Sequence, residues 1–229
     1  MKGALPIGRN NPQRCPMGLY AEQLSGTSFT QPRRNNFRTW YYRIQPSVTH
    51  HPFVPTDKFK HITNAFDDES QFYIDPNQHR WRPIKLPEDG VDMTWLEGLV
   101  CHVGMGSAIG RNGFAAYQYR CNKSMTNQAF CNSDGDMLIV PQQGTLYIAT
   151  ENGKLVVPPK SIAIIPRGIR FSIDVTETSR GYVAEIFDGH FELPNLGPIG
   201  ANGLASARDF EAPQAWYEEL KAEFQVARY

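Results

Sequence analysis

"IIPRGIRFSI", residues 164–173, reads as two short strand segments joined by one tight turn, with Pro166, Gly168 and Phe171 at fixed offsets. Proline presets the φ of a turn corner and glycine supplies φ values that other residues avoid, so the chain reverses between Ile165 and Ile169. Outward from this stretch the same rhythm repeats. "FAAYQYRC", "MLIVP", "TLYIAT", "KLVVP", "SIAIIP", "IRFSIDV" and "GYVAEIF" follow one another from residue 114 to 187, most of them joined by short turns. In "ENG" (151–153), Asn152-Gly153 offers the positive φ of a tight hairpin. Seven strands this closely spaced predict a barrel or sandwich with up-and-down or jelly-roll connectivity.

The bulk numbers agree with a folded chain. Of 229 residues, 41% are apolar and 12% aromatic, enough to fill a core. Lys and Arg total 23 and Asp and Glu total 23, so no basic surplus points to nucleic acid or to an anionic membrane surface. Cys15, Cys101, Cys121 and Cys131 form no CxxC pair, which suggests reduced thiols and a cytoplasmic location. The first residues carry no signal-peptide core, and no apolar run approaches the ~20 residues of a membrane span. The formal sequon at Asn122-Lys123-Ser124 is then a chance match.

Residues 1–113 are expected to hold early strands, loops and a short helix packed on the barrel; residues 114–193 form the barrel, and 194–229 form a connector with a terminal helix. The early strands are "TWYYRI" (39–44) and "QFYI" (71–74). Met93, Leu96, Leu99 and Val100 fall at helical spacing within 92–104, and Trp216, Leu220 and Phe224 do so after Pro213. The overall class is all-β, with one or two short helices.

Chemical motifs are sparse. The glycines of "GMGSAIGRNG" (104–113) lack the spacing, the following helix and the acidic residue of a nucleotide loop, and read as a flexible surface loop. His50 and His51 are adjacent and point to opposite faces, and His61, His79, His102 and His190 are isolated, as structural histidines are. No nucleophile elbow is present. Asp134 and Asp136 are spaced to share a face as an acid/base pair, but "NSDGDM" has the composition of a turn.

Metal-binding cupin barrels use G-x5-H-x-H-x3,4-E-x6-G on one hairpin and G-x5-P-x-G-x2-H-x3-N on the next, with alternate residues facing the lumen. Anchored on Gly144, the first pattern places its glutamate at Met137 and its histidines at Cys131 and Ser133, or at Phe130 and Asn132. In the second, Pro166 and Gly168 remain, while the histidine becomes Phe171, the asparagine Val175 and the leading glycine Lys160. This is no ligand set for iron or zinc, and the lumen is expected to be packed.

Long stretches resemble one family: "NNPQRCPMGLYAEQLSGTSFT" (11–30), "RTWYYRIQPSVTHHPF" (38–53), "NSDGDMLIVPQQGTLYIATENGKL" (132–155) and "ELPNLGPIGANGLASARDFEAPQAWYE" (192–218). They are similar to the amino-terminal half of the homogentisate 1,2-dioxygenases, non-haem iron enzymes of tyrosine and phenylalanine breakdown. The resemblance implies a double cupin whose first barrel is metal-free. The second barrel would supply two histidines and a glutamate to Fe(II), with a further catalytic histidine, and would open homogentisate with O₂ to maleylacetoacetate. No residue of this sequence matches those ligands, so this chain alone is expected to bind no iron and to be inactive, with catalytic and metal residues none. The resemblance also implies trimers or hexamers with active sites near subunit contacts. Tyr119, in "AYQYRC", is then the one candidate substrate contact, reaching a neighbouring subunit's substrate through its hydroxyl. Its alternative is a tyrosine packed in the barrel wall. A competing reading of the chain is a stand-alone metal-free cupin that takes a small aromatic or acidic ligand in its lumen.

Overall fold

The computed structural model describes residues 18–25, 27–28, 30–63, 66, 75–197, 203–213 and 225–228. The chain divides into two compact units, one of residues 1–54 with 215–221, the other of 55–214 with 222–229. In the first unit β1 (Tyr20–Ser25) pairs antiparallel with β2 (Arg38–Arg43), in register from Tyr20 opposite Arg43 to Ser25 opposite Arg38. Glu22 and Arg43 form an ion pair across this ribbon, and Glu22 also accepts from the amide and hydroxyl of Ser47 at 3.2 and 3.0 Å.

Among the described residues the second unit holds ten strands: β3 (Val100–Ser107), β4 (Asn112–Cys121), β5 (Gln128–Cys131), β6 (Asp136–Gln143), β7 (Leu146–Thr150), β8 (Gly153–Val157), β9 (Ala163–Ile165), β10 (Arg170–Asp174), β11 (Ser179–Ile186) and β12 (Gln225–Arg228). They form two five-stranded sheets, ordered β3-β4-β11-β6-β9 and β12-β5-β10-β7-β8. Consecutive strands from β4 to β11 alternate between the sheets, apart from the β7–β8 hairpin, and each chain reversal brings a late strand back beside an early one. This strand order is the double Greek key of a jelly roll. The seven strands expected from residue 114 onward are all present.

Period-2 burial explains the sheets. Along β4, Ala115, Tyr117, Tyr119 and Cys121 are buried while Ala116, Gln118 and Arg120 are not. The core that results gathers Trp95, Phe130 and Phe171, together with Ile139, Ile148, Ile173 and Val183, all 2% exposed or less. At the quoted stretch the Ile169 amide donates to the Pro166 carbonyl across 3.3 Å, closing a turn in which Gly168 takes φ +82°. The β7–β8 turn is present too, but of its Asn-Gly pair only Gly153 has a positive φ. Thr150 completes that turn, its hydroxyl donating to the Gly153 carbonyl at 2.8 Å and accepting from the Asn152 amide at 3.1 Å.

Two expectations are corrected. The helix over 92–104 is a single turn: Gly98 donates to the Thr94 carbonyl at 3.0 Å, and β3 begins at Val100. Thr94 and Glu97 make reciprocal bonds of a capping box, with the Thr94 hydroxyl donating to Glu97 at 2.8 Å. One turn suffices to bury Trp95, Leu96 and Leu99, and pairing with β4 then wins over the helical period. The glycine-rich stretch 104–113 is likewise a β3–β4 hairpin rather than a loose loop, in register from Gly104 opposite Ala115 to Ser107 opposite Asn112. A Cβ at Gly104 would come within 2.3 Å of the Phe66 ring, which accounts for the small residue there. The strand expected at 71–74 and the helix expected within 214–224 lie outside the described residues, where β12 begins at Gln225. The described helices are two three-residue 3₁₀ turns, Arg33–Asn35 and Ala207–Asp209.

Candidate functional site

The lumen positions come first, because there a metal cupin would carry its ligands. Phe171 lies on β10, 1% exposed, opposite Phe130 of β5. The two rings meet edge to face at 5.7 Å between centroids, and Trp95 packs edge-on against Phe171 at 5.8 Å. Met137 is 1% exposed and Cys131 6%. Of the positions matching the cupin ligand pattern, Phe130, Cys131, Met137 and Phe171 thus present rings and sulfur and Asn132 is an amide bonded to Glu185, which does not fit Fe(II), a metal that takes imidazole and carboxylate. Among the described residues no group of three or more His, Cys, Asp or Glu side chains converges as a metal site.

The polar groups gather elsewhere, around the turn at Pro166–Gly168. Asp136, the first residue of β6, is 1% exposed and accepts the Arg167 amide at 2.9 Å, Arg167 Nε at 3.3 Å and the Phe191 amide at 3.3 Å. His190 Nδ1 lies 3.0 Å from its second oxygen. Arg167 extends past Asp136 to the carbonyls of Phe187 and Gly189. The turn is also tied across the sheets, since the Gly168 amide donates to the Asn132 carbonyl at 2.7 Å. Asp136 therefore fixes the turn against the segment that leaves β11, and its carboxylate has no face left for proton transfer.

Beside it, Glu185 of β11 is 2% exposed and receives the Asn132 amide at 2.6 Å and the Tyr117 hydroxyl at 2.8 Å. Burial pushes its carboxyl above the ordinary carboxylate range, and the charge of Asp134 adds to the shift. Gly135 leaves the room this requires, because a Cβ there would sit 2.7 Å from the Glu185 Cγ. Sequence reading weighed Asp136 only as half of a pair with Asp134, set aside as a turn, and missed Glu185. A signal for Glu185 exists in the alternation of "GYVAEIF": Gly181 and Val183 face inward, so Glu185 must as well, a charge on an apolar face.

Asp134 and Asp136 are not an acid/base pair. The Asp134 and Gly135 amides donate to Asn132 Oδ1, the turn expected from composition, while Asp136 turns inward. Tyr119 is fully buried, packs on Trp95 at 6.0 Å and shares a 3.3 Å hydrogen bond with the Ser179 hydroxyl. Burial pushes its phenol well above the usual range. Of the histidines, His50, His61 and His79 lie within hydrogen-bond distance of backbone carbonyls, and His102 packs against Trp81. Cys101 and Cys121 are free thiols, and burial pushes Cys121 up to about 12.

On the outer face of the β3-β4-β11-β6-β9 sheet, Val103, Ala116, Ala184, Leu138 and Ile164 stand side by side in register across all five strands. Met105, Phe114 and Tyr182 flank this apolar row, 61, 41 and 45% exposed.

A sequence profile described as homogentisate 1,2-dioxygenase N-terminal matches residues 1–229. Relatives named homogentisate 1,2-dioxygenase include one from Caenorhabditis elegans, 55% identical over 225 residues, which cover 97% of this chain and 50% of that protein. One from Arabidopsis thaliana is 53% identical over 229 residues, covering 99% and 49%, and one from Homo sapiens is 53% identical over 218 residues, covering 95% and 48%. The chain spans about half the length of the curated relatives it matches. A Schizosaccharomyces pombe Cnp3 cupin domain overlaps 39% of this chain at 18% identity and TM-score 0.33, too distant to add to the strand order itself.

Proposed function

This chain belongs to the homogentisate 1,2-dioxygenase N-terminal family, and from that membership we propose that it is the architectural half of an Fe(II)-dependent dioxygenase that opens the ring of homogentisate with O₂ to give maleylacetoacetate. The iron and the catalytic residues would sit in the other half of the full-length protein. What supports this division is the aromatic lumen: Phe171, Phe130 and Trp95 occupy the place where a metal cupin builds its site. The same packing disfavours a stand-alone module holding a small ligand in the lumen, since these three side chains are 2% exposed or less.

The supporting role needs a surface, and the apolar row from Val103 to Ile164 is the one we assign to it. Its occupant in this reading is the remaining half of the same polypeptide, because relatives are twice as long and an apolar row that crosses five strands suits a permanent partner better than a transient one. Residues 194–229 would lead toward that half, and trimers or hexamers of the complete enzyme would form around it in the cytoplasm. Tyr119 enters as the proposed contact to a neighbour's substrate, a role that requires its buried hydroxyl to leave Ser179. Tyr119→Phe in the full-length enzyme is expected to raise KM, and an unchanged KM leaves it a wall residue bonded to Ser179.

The test of the division is Leu138→Lys in the full-length enzyme. A charge within the row is expected to abolish ring cleavage and separate the halves to proteolysis, while full activity and unchanged protease resistance would contradict the assignment.

A further inference from the structure

Asn-Gly occurs three times in the sequence, at 112–113, 152–153 and 202–203, and Asn202 lies outside the described residues. The pair has a chemistry of its own, because glycine has no Cβ to shield its amide nitrogen from the side-chain carbonyl carbon of the asparagine before it. The two described pairs share this reactivity, and each stands at a β-hairpin end. They differ in how firmly the fold holds them.

Asn112 is fixed. Its Oδ1 accepts the Ser107 amide at 3.1 Å, which ties the side chain across the hairpin. Gly113 is braced on two sides, opposite Gly106 of β3 and through its carbonyl to the Phe187 amide at 3.0 Å. Asn152, by contrast, lies in the turn between β7 and β8 and is exposed. Its backbone amide donates to the Thr150 hydroxyl at 3.1 Å, while its side-chain amide has no hydrogen bond among the described residues. Gly153 begins β8, the last strand of its sheet, so only β7 flanks it. A turn on an edge strand opens locally at little cost, and each opening lets the side chain reach the geometry of attack.

We propose that Asn152 is a modification site, at which the chain deamidates through a succinimide to aspartate and isoaspartate. The Gly153 amide nitrogen attacks Cγ of Asn152. The N–Cγ bond forms, the Cγ–Nδ2 bond breaks, and the Gly153 amide proton leaves with that nitrogen as ammonia. Water then opens the ring. Opening at Cγ gives aspartate; opening at the backbone carbonyl carbon gives isoaspartate, whose main chain runs through Cγ. Nothing is oxidised or reduced, and water is the co-reactant. The inference goes beyond the dioxygenase reading and does not depend on it.

Either product sets a new carboxylate beside Glu151, whose own carboxylate pairs with Arg170 at 2.7 Å. Isoaspartate also lengthens the main chain of the turn and displaces the amide that Thr150 holds. That altered turn belongs to the substrate class of enzymes that methylate isoaspartyl carboxyls.

The test incubates the full-length protein in warm, mildly alkaline buffer and maps its peptides by mass spectrometry, with isoaspartate read by enzymatic methyl transfer. Product is expected to accumulate at Asn152 at least about tenfold faster than at Asn112, and the gap should close in denaturant, where neither side chain is held. Asn152→Gln, whose longer side chain closes the ring poorly, is expected to abolish the product there and leave the slow reaction at Asn112 unchanged. If the variant does not fold, the wild-type comparison decides alone. Equal rates at the two sites in the folded protein, a faster rate at Asn112, or no product at Asn152 overturns the proposal.

Discussion

Two regions of one jelly roll handle their side chains in opposite ways. In the middle of the barrel, positions spaced as metal ligands carry Phe171, Phe130 and Met137, and the contacts are edge-to-face rings. At the Pro166–Gly168 end, Glu185, Asp136 and Asn132 are buried beside the half-buried Arg167, and nearly every polar atom is matched to a partner by distance. The difference teaches that titratable groups in a barrel are not by themselves a site. Those at the end are consumed in holding a turn and a strand exit, and those that a site would need are replaced by hydrocarbon.

The largest test removes a ring. Phe171→Ala should cost about 3–5 kcal/mol, measured by denaturant unfolding, because Trp95 and Phe130 lose the surface they pack on. Phe171→His sharpens the same point: titration with Fe(II) or Zn(II) should detect no stoichiometric site, since its neighbours offer no further ligand, and tight binding would break the contrast. Next comes Asp136→Ala, expected to cost about 3 kcal/mol by leaving Arg167 without its carboxylate, with Asp136→Asn in between. Tyr119→Phe should cost only about 1 kcal/mol, the worth of one hydroxyl contact to Ser179.

The smallest effect lies at the capping box. Burial opposes ionisation of Glu97, but bonds from Thr94 and the nearby Lys58 ammonium hold its carboxyl down to about 2, against an ordinary 4.5. Its contribution is therefore present above the ordinary value and lost as pH falls through the folded one. Glu97→Gln should be less stable than the wild type by under about 1 kcal/mol at neutral pH, with the gap closing toward about pH 2 in acid unfolding curves.

The strands from β4 to β11 were largely legible because period-2 burial and turn residues agree there. β5 escaped because "QAFC" is four residues long, too short to show a period. β3 was misread because Met93, Leu96, Leu99 and Val100 satisfy the helical spacing for one turn, and only pairing with β4 decides between the two states. At the site, Phe171 was readable from its offset to Pro166 and Gly168. The role of Asp136 was not, since its partners Arg167 and His190 lie 31 and 54 residues away, and a turn-like sequence says nothing of distant partners.

The central claim is that this half supports chemistry carried out elsewhere. Its most direct test is metal analysis and oxygen uptake with homogentisate on the purified 229-residue chain after incubation with Fe(II). The account predicts no stoichiometric iron and no oxygen consumption; iron bound in proportion to protein, with homogentisate-dependent oxygen uptake, would contradict it.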